Sequence, residues 1–270
     1  MSAFDSAADA ADELPPIELA ILSRQGGRDH NEDACGHWHS DSHLCCVVAD
    51  GAGGHGGGDI ASRTAVQFVI ESYARHPFAT PDEVEAQLRA TNDEVIRHRA
   101  DGEAQRNMYT TLVMLGIDFD QREAVWGHAG DSRLYLFRHG RQLLHSVDHS
   151  VVQGLVDAGL LAPEQMREHP RRSELYSALG TAPEDLRTSV SGTPHRLQAG
   201  DVFLLCTDGV WEHVDDAELG ASLVQSPSAT AWLAQIEQRV LANARSAGKT
   251  RHDNFSAVAI WIGHADPDIP

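Results

Sequence analysis

In two Asp-Gly pairs of this chain, a carboxylate is followed directly by a glycine, whose backbone can adopt conformations that other residues avoid. Asp50-Gly51 and Asp208-Gly209 each follow directly on an apolar run. A carboxylate at the end of a buried strand is held rigidly and can still face a cleft, and the glycine after it permits a sharp turn that brings a carbonyl close to an ion. Because the pairs lie far apart in sequence, we expect folding to assemble them into one oxygen-rich metal site.

Three further acidic motifs accompany predicted strand ends: Arg28-Asp29-His30-Asn31-Glu32-Asp33, Gly130-Asp131-Ser132-Arg133 and Asp253-Asn254-Phe255-Ser256. Hard divalent cations such as Mg²⁺ and Mn²⁺ prefer oxygen ligands and keep several waters. Two such ions, about 3.5–4 Å apart, can share a water, lower its pKa and offset the charge of a phosphoryl group. Arg28 is the candidate for two-point recognition of phosphate oxygens.

Each motif alone also has a simpler interpretation. Asp-Gly is foremost a turn dipeptide. Asp131 would then only cap its turn, Asp253 would be a solvated loop residue, and Arg28 would pair with Asp29 or Asp33. The chemical interpretation depends on the number, the order and the strand-end placement of these motifs together.

The elements that must position these residues are short strands and amphipathic helices. We predict strands over 17–23, 43–49, 111–118, 123–129, 132–138, 141–147, 201–207 and 255–262. One helix is expected to begin near Gly58 and a second at Thr80, where Pro81 and Glu83 complete a capping box; two more are predicted over 215–224 and 228–246. The short connections between strands favour antiparallel pairing, and the whole pattern favours an α+β fold.

Composition excludes several classes of protein. With 21 Lys and Arg against 40 Asp and Glu in 270 residues, the formal net charge is −19, which argues against a nucleic-acid-binding surface. No apolar stretch approaches the roughly 20 residues that span a bilayer. Four cysteines without Cys-x-x-Cys spacing favour free thiols and a reducing cytoplasm. We expect a disordered acidic segment over 1–14, one domain over 15–264 and a tail over 265–270.

In its motifs the chain resembles the metal-dependent protein phosphatases of the 2C type, in their compact bacterial form. The resemblance rests on six motifs in order: Arg28-x-x-Asn31-Glu32-Asp33, Asp50-Gly51-Ala52-Gly53-Gly54-His55, Thr110-Thr111-Leu112, Gly130-Asp131-Ser132-Arg133, Thr207-Asp208-Gly209 and Asp253-Asn254-Phe255-Ser256. It implies a four-layer α-β-β-α sandwich of two central antiparallel sheets with a binuclear Mn²⁺ or Mg²⁺ centre at one end. Residues 148–180 would include the flap subdomain that borders the cleft.

The resemblance also implies a role for each site residue. Asp50, Asp208 and Asp253 would hold the first ion. Glu32, Asp50 and the Gly51 carbonyl would hold the second, with Asp50 between the two. Asp33 would order coordinated water, Arg28 would bind the substrate phosphate, and Asp131 with Asp208 would bind a third, weaker ion.

Some positions depart from the family pattern. Ala52 occupies the place of the histidine that is thought to protonate the leaving group in animal members. Bacterial relatives usually carry methionine there and are active, so the resemblance implies activity and assigns no proton donor. His55 is an alternative proton donor, and His149 is expected to organise the flap. In the bacterial pattern His-Pro-x-x-Asn, this chain has Ser173 where asparagine is common.

The leading hypothesis is therefore a phosphatase that removes phosphate from phosphoserine and phosphothreonine in proteins by direct attack of water. No Cys-x₅-Arg motif is present, which disfavours a cysteine nucleophile. The alternative is an inactive relative that binds phosphoproteins as a scaffold, and a third possibility is the same chemistry on another phosphoester. By analogy with the family we expect a partner serine/threonine kinase. The net charge and the lack of a long apolar stretch predict no nucleic-acid and no membrane partner, the cysteines favour the cytoplasm, and a monomer is the default expectation.

Overall fold

The computed structural model describes residues 16–53, 57–99, 108–248 and 251–263. Over these ranges the chain forms two antiparallel sheets that pack face to face, with helices on both outer faces. This confirms the predicted α+β class and the α-β-β-α order of layers. The predicted segments 1–14 and 265–270 lie outside the described residues.

The first sheet has five strands in the order β1-β12-β11-β7-β8. Their bounds are β1 Ile17–Arg24, β7 Arg133–Arg138, β8 Arg141–His145, β11 Asp201–Cys206 and β12 Phe255–Ile262. All of their pairings are antiparallel. The strands predicted at 17–23, 132–138, 201–207 and 255–262 are confirmed to within a residue, whereas the strand predicted over 141–147 ends two residues early.

The second sheet has the central order β10-β6-β5-β3-β2, with two short strands attached to β3 and β6. Its strands are β2 Asp33–His39, β3 His43–Ala52, β4 Tyr109–Thr110, β5 Leu112–Asp118, β6 Glu123–Ala129, β9 Ser189–Val190 and β10 His195–Arg196. The sequence pattern placed a strand after the loop over 28–33 but gave no bounds for β2. Its residues alternate poorly between buried and exposed, because it is an edge strand and carries polar side chains on both faces.

Helices cover the outer face of each sheet. Their bounds are α1 Gly57–Arg75, α2 Pro81–Arg97, α3 Val151–Asp157, α4 Asp208–Trp211, α5 Asp216–Val224 and α6 Ala229–Ser246, and a 3₁₀ turn spans Pro163–Glu168. The capping box of α2 forms as predicted: Thr80 accepts from the Glu83 amide, and the Glu83 carboxylate accepts from the Thr80 amide. The helices predicted at the C-terminal end are likewise present, with Asp215 and Ser228 as their caps.

Three apolar layers hold the sandwich together. One lies between the second sheet and α1 with α2, one lies between the two sheets, and one lies between the first sheet and α5 with α6. Burying apolar surface on both faces of each sheet leaves polar side chains at the strand ends. The sites of interest lie there, at the end where β3 and β11 finish and where β2, β5, β7 and β12 begin.

Candidate metal centre

Strand register brings the predicted site residues to one end of the sandwich. Asp33 at the start of β2 is directly opposite Asp50 near the end of β3. In the other sheet, Cys206 at the end of β11 pairs with both Arg133 and Ala257. The loops that carry Asp208, Asp131 and Asp253 therefore leave that sheet at the same edge.

The carboxylates at this end influence one another strongly. Burial raises the pKa of Asp50 well above its usual value, and repulsion from Asp208, Asp33, Asp131 and Asp253 raises it further. Burial likewise raises the pKa of Asp208 far above normal, with repulsion from Asp131 next in size. Four or more acids that share a poorly solvated site are stable as anions only if positive charge joins them.

Asp33 Oδ1 and Asp208 Oδ1 are among the buried carboxylate oxygens that lack a hydrogen-bond partner in the described residues. The other oxygen of Asp33 accepts from Thr207 Oγ1 at 3.0 Å. Burial raises the pKa of the Asp33 carboxyl to about 7. A buried polar oxygen without a partner is costly in a native protein, so these two atoms fit a site that takes a cation or its bound waters.

Asp131 lies in the loop between β6 and β7 and is 4% exposed. Its carbonyl accepts from the Trp211 indole at 2.9 Å, and its carboxyl is the largest source of repulsion on Asp208. Burial raises the pKa of Asp131 to about 7. The simple role of a turn cap therefore does not describe this carboxylate, which is buried beside Asp208.

Both glycines of the Asp-Gly pairs allow close packing, and Gly51 does not make the sharp turn that the sequence suggested. Strand β3 continues through Gly51 to Ala52, and Gly51 has no positive φ. A Cβ at Gly51 would overlap the carbonyl oxygens of Gly58 and Glu32, and one at Gly209 would overlap that of Asn254. Each glycine thus lets two main-chain segments approach at the site.

Arg28 pairs with neither Asp29 nor Asp33, the partners considered from the sequence. Its Nη2 atom donates to Asp253 Oδ2 at 2.6 Å, and about half of its side chain is exposed. A guanidinium at the solvent edge of a carboxylate cluster is placed to meet an anionic ligand. Burial, then repulsion from Asp59, raises the pKa of the nearby Glu32 carboxyl, while Arg28 opposes the rise.

The residues described here fit a hard divalent cation that keeps much of its water. Within these ranges no three His, Cys, Asp or Glu side chains stand in an arrangement that would enclose an ion by themselves. Mg²⁺ and Mn²⁺ suit such a site, because they bind through few carboxylates and retain several water ligands. A zinc site closed by four protein ligands does not.

Sequence reasoning did not single out several residues that shape this site. Asn254 accepts from the Glu32 amide and donates to the carbonyls of Gln25 and His30, so it holds the loop that carries Glu32. Glu212 follows Asp208 by one helical turn and adds to the repulsion on it. Glu212 could have been found from its spacing of four residues from Asp208, which is about one helical turn. No local sequence pattern indicates that Asn254 holds this loop in place.

His149 and His128 join the start of the flap to the loop of Asp131. The His149 ring accepts from the Gly130 amide through Nδ1 and contacts Ser189 Oγ through Nε2, and it stacks on His128. Burial, and then His128, lowers the pKa of His149 to about 4. A neutral, fully engaged imidazole organises this region, in line with the role expected from the sequence. His55 lies outside the described residues.

No helix in the described ranges is both long enough and apolar enough to cross a membrane.

Known proteins that resemble this chain in sequence and in fold are serine/threonine phosphatases. The serine/threonine phosphatase stp of Listeria innocua is 33% identical over 198 residues, which cover 71% of this chain and 77% of that protein. The crystal structure of the Mycobacterium tuberculosis serine/threonine phosphatase PstP has a TM-score of 0.74 and 29% identity, covering 93% of this chain and 100% of that one.

A further structure carries metal. The catalytic domain of the serine/threonine protein phosphatase PstP in complex with two manganese ions aligns with a TM-score of 0.74 and 26% identity, over 92% of this chain and 99% of that chain. Residues 23–250 match the protein phosphatase 2C family. Since that match spans most of the chain, and relatives above 30% identity cover more than two thirds of it, this protein belongs to the protein phosphatase 2C family and is a protein serine/threonine phosphatase.

Proposed function

We propose that this phosphatase hydrolyses phosphoserine and phosphothreonine in proteins at a binuclear Mn²⁺ or Mg²⁺ centre, by direct attack of water on phosphorus. The observation that carries the proposal is the group of mutually repelling carboxylates around Asp50, with unpartnered oxygens on Asp33 and Asp208. When bound, two divalent ions would lower the pKa of a shared water and offset the charge of the phosphoryl group. The manganese ions of the PstP complex support this choice of metal.

Each residue has a proposed role. Asp50, Asp208 and Asp253 hold the first ion, and Glu32, Asp50 and the Gly51 carbonyl hold the second. Asp33 is oriented by Thr207 and presents its free oxygen to coordinated water. Asp131 and Asp208 hold a third, weaker ion, a proposal supported by the repulsion that Asp131 exerts on Asp208.

Arg28 is proposed to bind the substrate phosphate. In the described structure its guanidinium lies against Asp253 and is half exposed. It can therefore hold Asp253 in place with one edge and present its remaining N–H groups to phosphate oxygens, the geometry that a planar guanidinium favours. An inactive phosphoprotein scaffold is the weaker proposal, because such a protein has no need to retain Glu32, Asp50, Asp208 and Asp253 together.

The cellular setting is also a proposal. The four cysteines are free, which suits a reducing cytoplasm. We propose residues 15–264 as one catalytic domain, phosphorylated proteins of a cognate serine/threonine kinase as substrates, and a monomer as the active form. Size-exclusion chromatography with light scattering tests the last point.

The decisive experiment measures phosphate release from a phosphothreonine peptide with Mn²⁺, with EDTA, and in Asp208→Ala. We expect activity with Mn²⁺, loss on chelation, recovery on adding excess Mn²⁺, and no activity in Asp208→Ala. The matched control is Asp120→Ala in the exposed turn between β5 and β6, which should keep full activity. Activity that survives both chelation and Asp208→Ala would exclude the metal-dependent mechanism.

A further inference from the structure

Two hydroxyl bridges join the sheets at the end of the sandwich that carries the carboxylates. Thr207, which follows β11 of the first sheet, donates through Oγ1 to Asp33 Oδ2 of the second sheet at 3.0 Å. Thr111, which precedes β5 of the second sheet, has its hydroxyl 2.7 Å from that of Ser132, which precedes β7 of the first. All four residues are buried.

The first bridge has a fixed direction. The Ser256 amide donates to Thr207 Oγ1 at 3.0 Å. An amide can only donate, so the hydroxyl uses its own proton for Asp33 Oδ2. One oxygen of Asp33 is thereby held, and the other, Oδ1, has no hydrogen-bond partner among the described residues. The bridge therefore contributes, together with the Ser256 side chain, to which way Asp33 faces.

The second bridge holds the main chain of Asp50. The Asp50 amide donates to Thr111 Oγ1 at 3.0 Å, and the Thr111 amide returns a bond to the Asp50 carbonyl at 2.8 Å. The same hydroxyl meets Ser132, the residue directly after Asp131. A displacement of one sheet relative to the other would therefore move both Asp50 and Asp131.

We propose that Thr207 and Thr111 are positioning residues that set the separation between the carboxylates of the two sheets. The second sheet and the loops beside it supply Glu32, Asp33 and Asp50, the loops of the first sheet supply Asp208 and Asp253, and Asp131 lies in the loop that connects the two sheets. This inference rests on the proposed function, in which ions are held by carboxylates from both sheets. Hydrogen-bond partners of metal ligands contribute to affinity because they orient the ligands before the ion binds.

The test compares Mn²⁺ affinity, measured by calorimetry on the full chain, between Thr207→Val and wild type. We expect Thr207→Val to raise the Mn²⁺ Kd by about 10-fold, the lower end of the range for losing a hydrogen-bond partner at a metal site, because Asp33 acts on the ions through coordinated water. Thr207→Ser keeps the hydroxyl and should restore a Kd close to wild type. The matched control is Thr91→Val: Thr91 is also fully buried, but its hydroxyl donates within α2 to the Gln87 carbonyl.

Several outcomes would overturn the proposal. If Thr207→Val lowers the melting temperature in EDTA as much as Thr91→Val does and leaves the Mn²⁺ Kd unchanged, the hydroxyl is only structural. Ser132→Ala removes the hydroxyl that Thr111 contacts. An unchanged Mn²⁺ Kd in this variant would overturn the role of Thr111 as a positioning residue. Should Thr207→Val not fold, Thr207→Ala removes the hydroxyl without adding a methyl against the carboxylate and carries the same expectation.

The affinity measurement also separates this inference from the proposed function. A wild-type chain that binds Mn²⁺ but hydrolyses no phosphopeptide would reject the proposed function, and the Kd comparison would still decide the role of Thr207. A wild-type chain that binds no Mn²⁺ would overturn both.

Discussion

The Arg133 guanidinium and the Asp148 carboxylate form a buried two-point ion pair, with Nε–Oδ1 and Nη2–Oδ2 distances of 2.8 and 2.7 Å. Arg133 begins β7 just after the Asp131 loop, and Asp148 is the first residue of the flap region. The guanidinium also stacks on Trp211 at 3.7 Å from the ring centroid. Because the Trp211 indole donates to Asp131, this pair connects the flap region with the carboxylate loop.

Removing one partner of the Arg133–Asp148 ion pair is expected to destabilise the protein strongly. Asp148→Asn leaves a buried guanidinium without its counter-charge, so we expect the free energy of unfolding to fall by about 3–5 kcal/mol. Urea titration in EDTA measures this without a contribution from metal. Arg24→Ala is the control, since Arg24 is about half exposed and Glu237 a quarter exposed in their ion pair, and its loss should cost at most about 1 kcal/mol. Equal losses in the two variants would contradict the prediction.

Gly51 is expected to reject any side chain because two carbonyl groups occupy the space. Gly51→Ala would place a methyl group on the Gly58 and Glu32 carbonyls, and overpacking of this kind costs about 1–3 kcal/mol. We expect a lower melting temperature and weaker Mn²⁺ binding, since β3 and the start of α1 must separate. Thermal denaturation and calorimetry measure the two effects.

Gly154 in α3 is the control for that substitution. A Cβ there meets nothing within 4 Å, and alanine is favoured over glycine in a helix by about 0.5–1 kcal/mol. Gly154→Ala should therefore keep or raise the melting temperature. A Gly51→Ala protein as stable as Gly154→Ala would show that the main chain at the site yields easily.

The buried Asp201 carboxylate predicts a dependence of stability on pH. Burial alone would raise its pKa, but hydrogen bonds from His195, Arg138 and the Gln198 amide outweigh it and hold the pKa below the usual value. Since the folded pKa lies below the unfolded value of about 3.9, the stabilisation is present above that pH and is lost as the pH falls through the folded pKa.

Asp201→Asn should therefore destabilise the protein in a pH-dependent way. We expect a loss of about 1.5–3 kcal/mol at pH 7, the usual contribution of hydrogen bonds to a charged group. The difference from wild type should shrink as the pH falls below about 4. Urea titrations at several pH values give both numbers, and a difference that stays constant with pH would argue against the ionised carboxylate as its source.

Arg28 should affect the binding of substrate and not the folding of the protein. If it binds phosphate, Arg28→Ala loses charge-assisted hydrogen bonds of about 1.5–3 kcal/mol, which corresponds to a KM about 10–100-fold higher for a phosphothreonine peptide. The melting temperature should hardly change, because the side chain is half exposed. Arg24→Ala, a nearby exposed arginine, should leave the KM unchanged. An unchanged KM in Arg28→Ala would remove it from the phosphate site.

Much of the fold was predictable because its signals are local. The capping box at Thr80, the short hairpin connections and the apolar runs of β3 and β11 all involve residues within a few positions of one another. The bounds of strand β2 could not be predicted, for the opposite reason. Its seven residues mix polar and apolar types, and only pairing with β3 makes them a strand.

The sequence by itself determined which acidic residues are available and that they stand at the ends of apolar strands, because strand ends are marked by local composition. Tertiary structure decided their partners. Arg28 meets Asp253 across 225 positions of the chain, and Thr207 meets Asp33 across 174. Gly51 and Gly209 allow two segments of the main chain to pack closely. Such contacts arise where two sheets pack, and packing depends on the whole set of buried surfaces and not on the neighbours of any one residue.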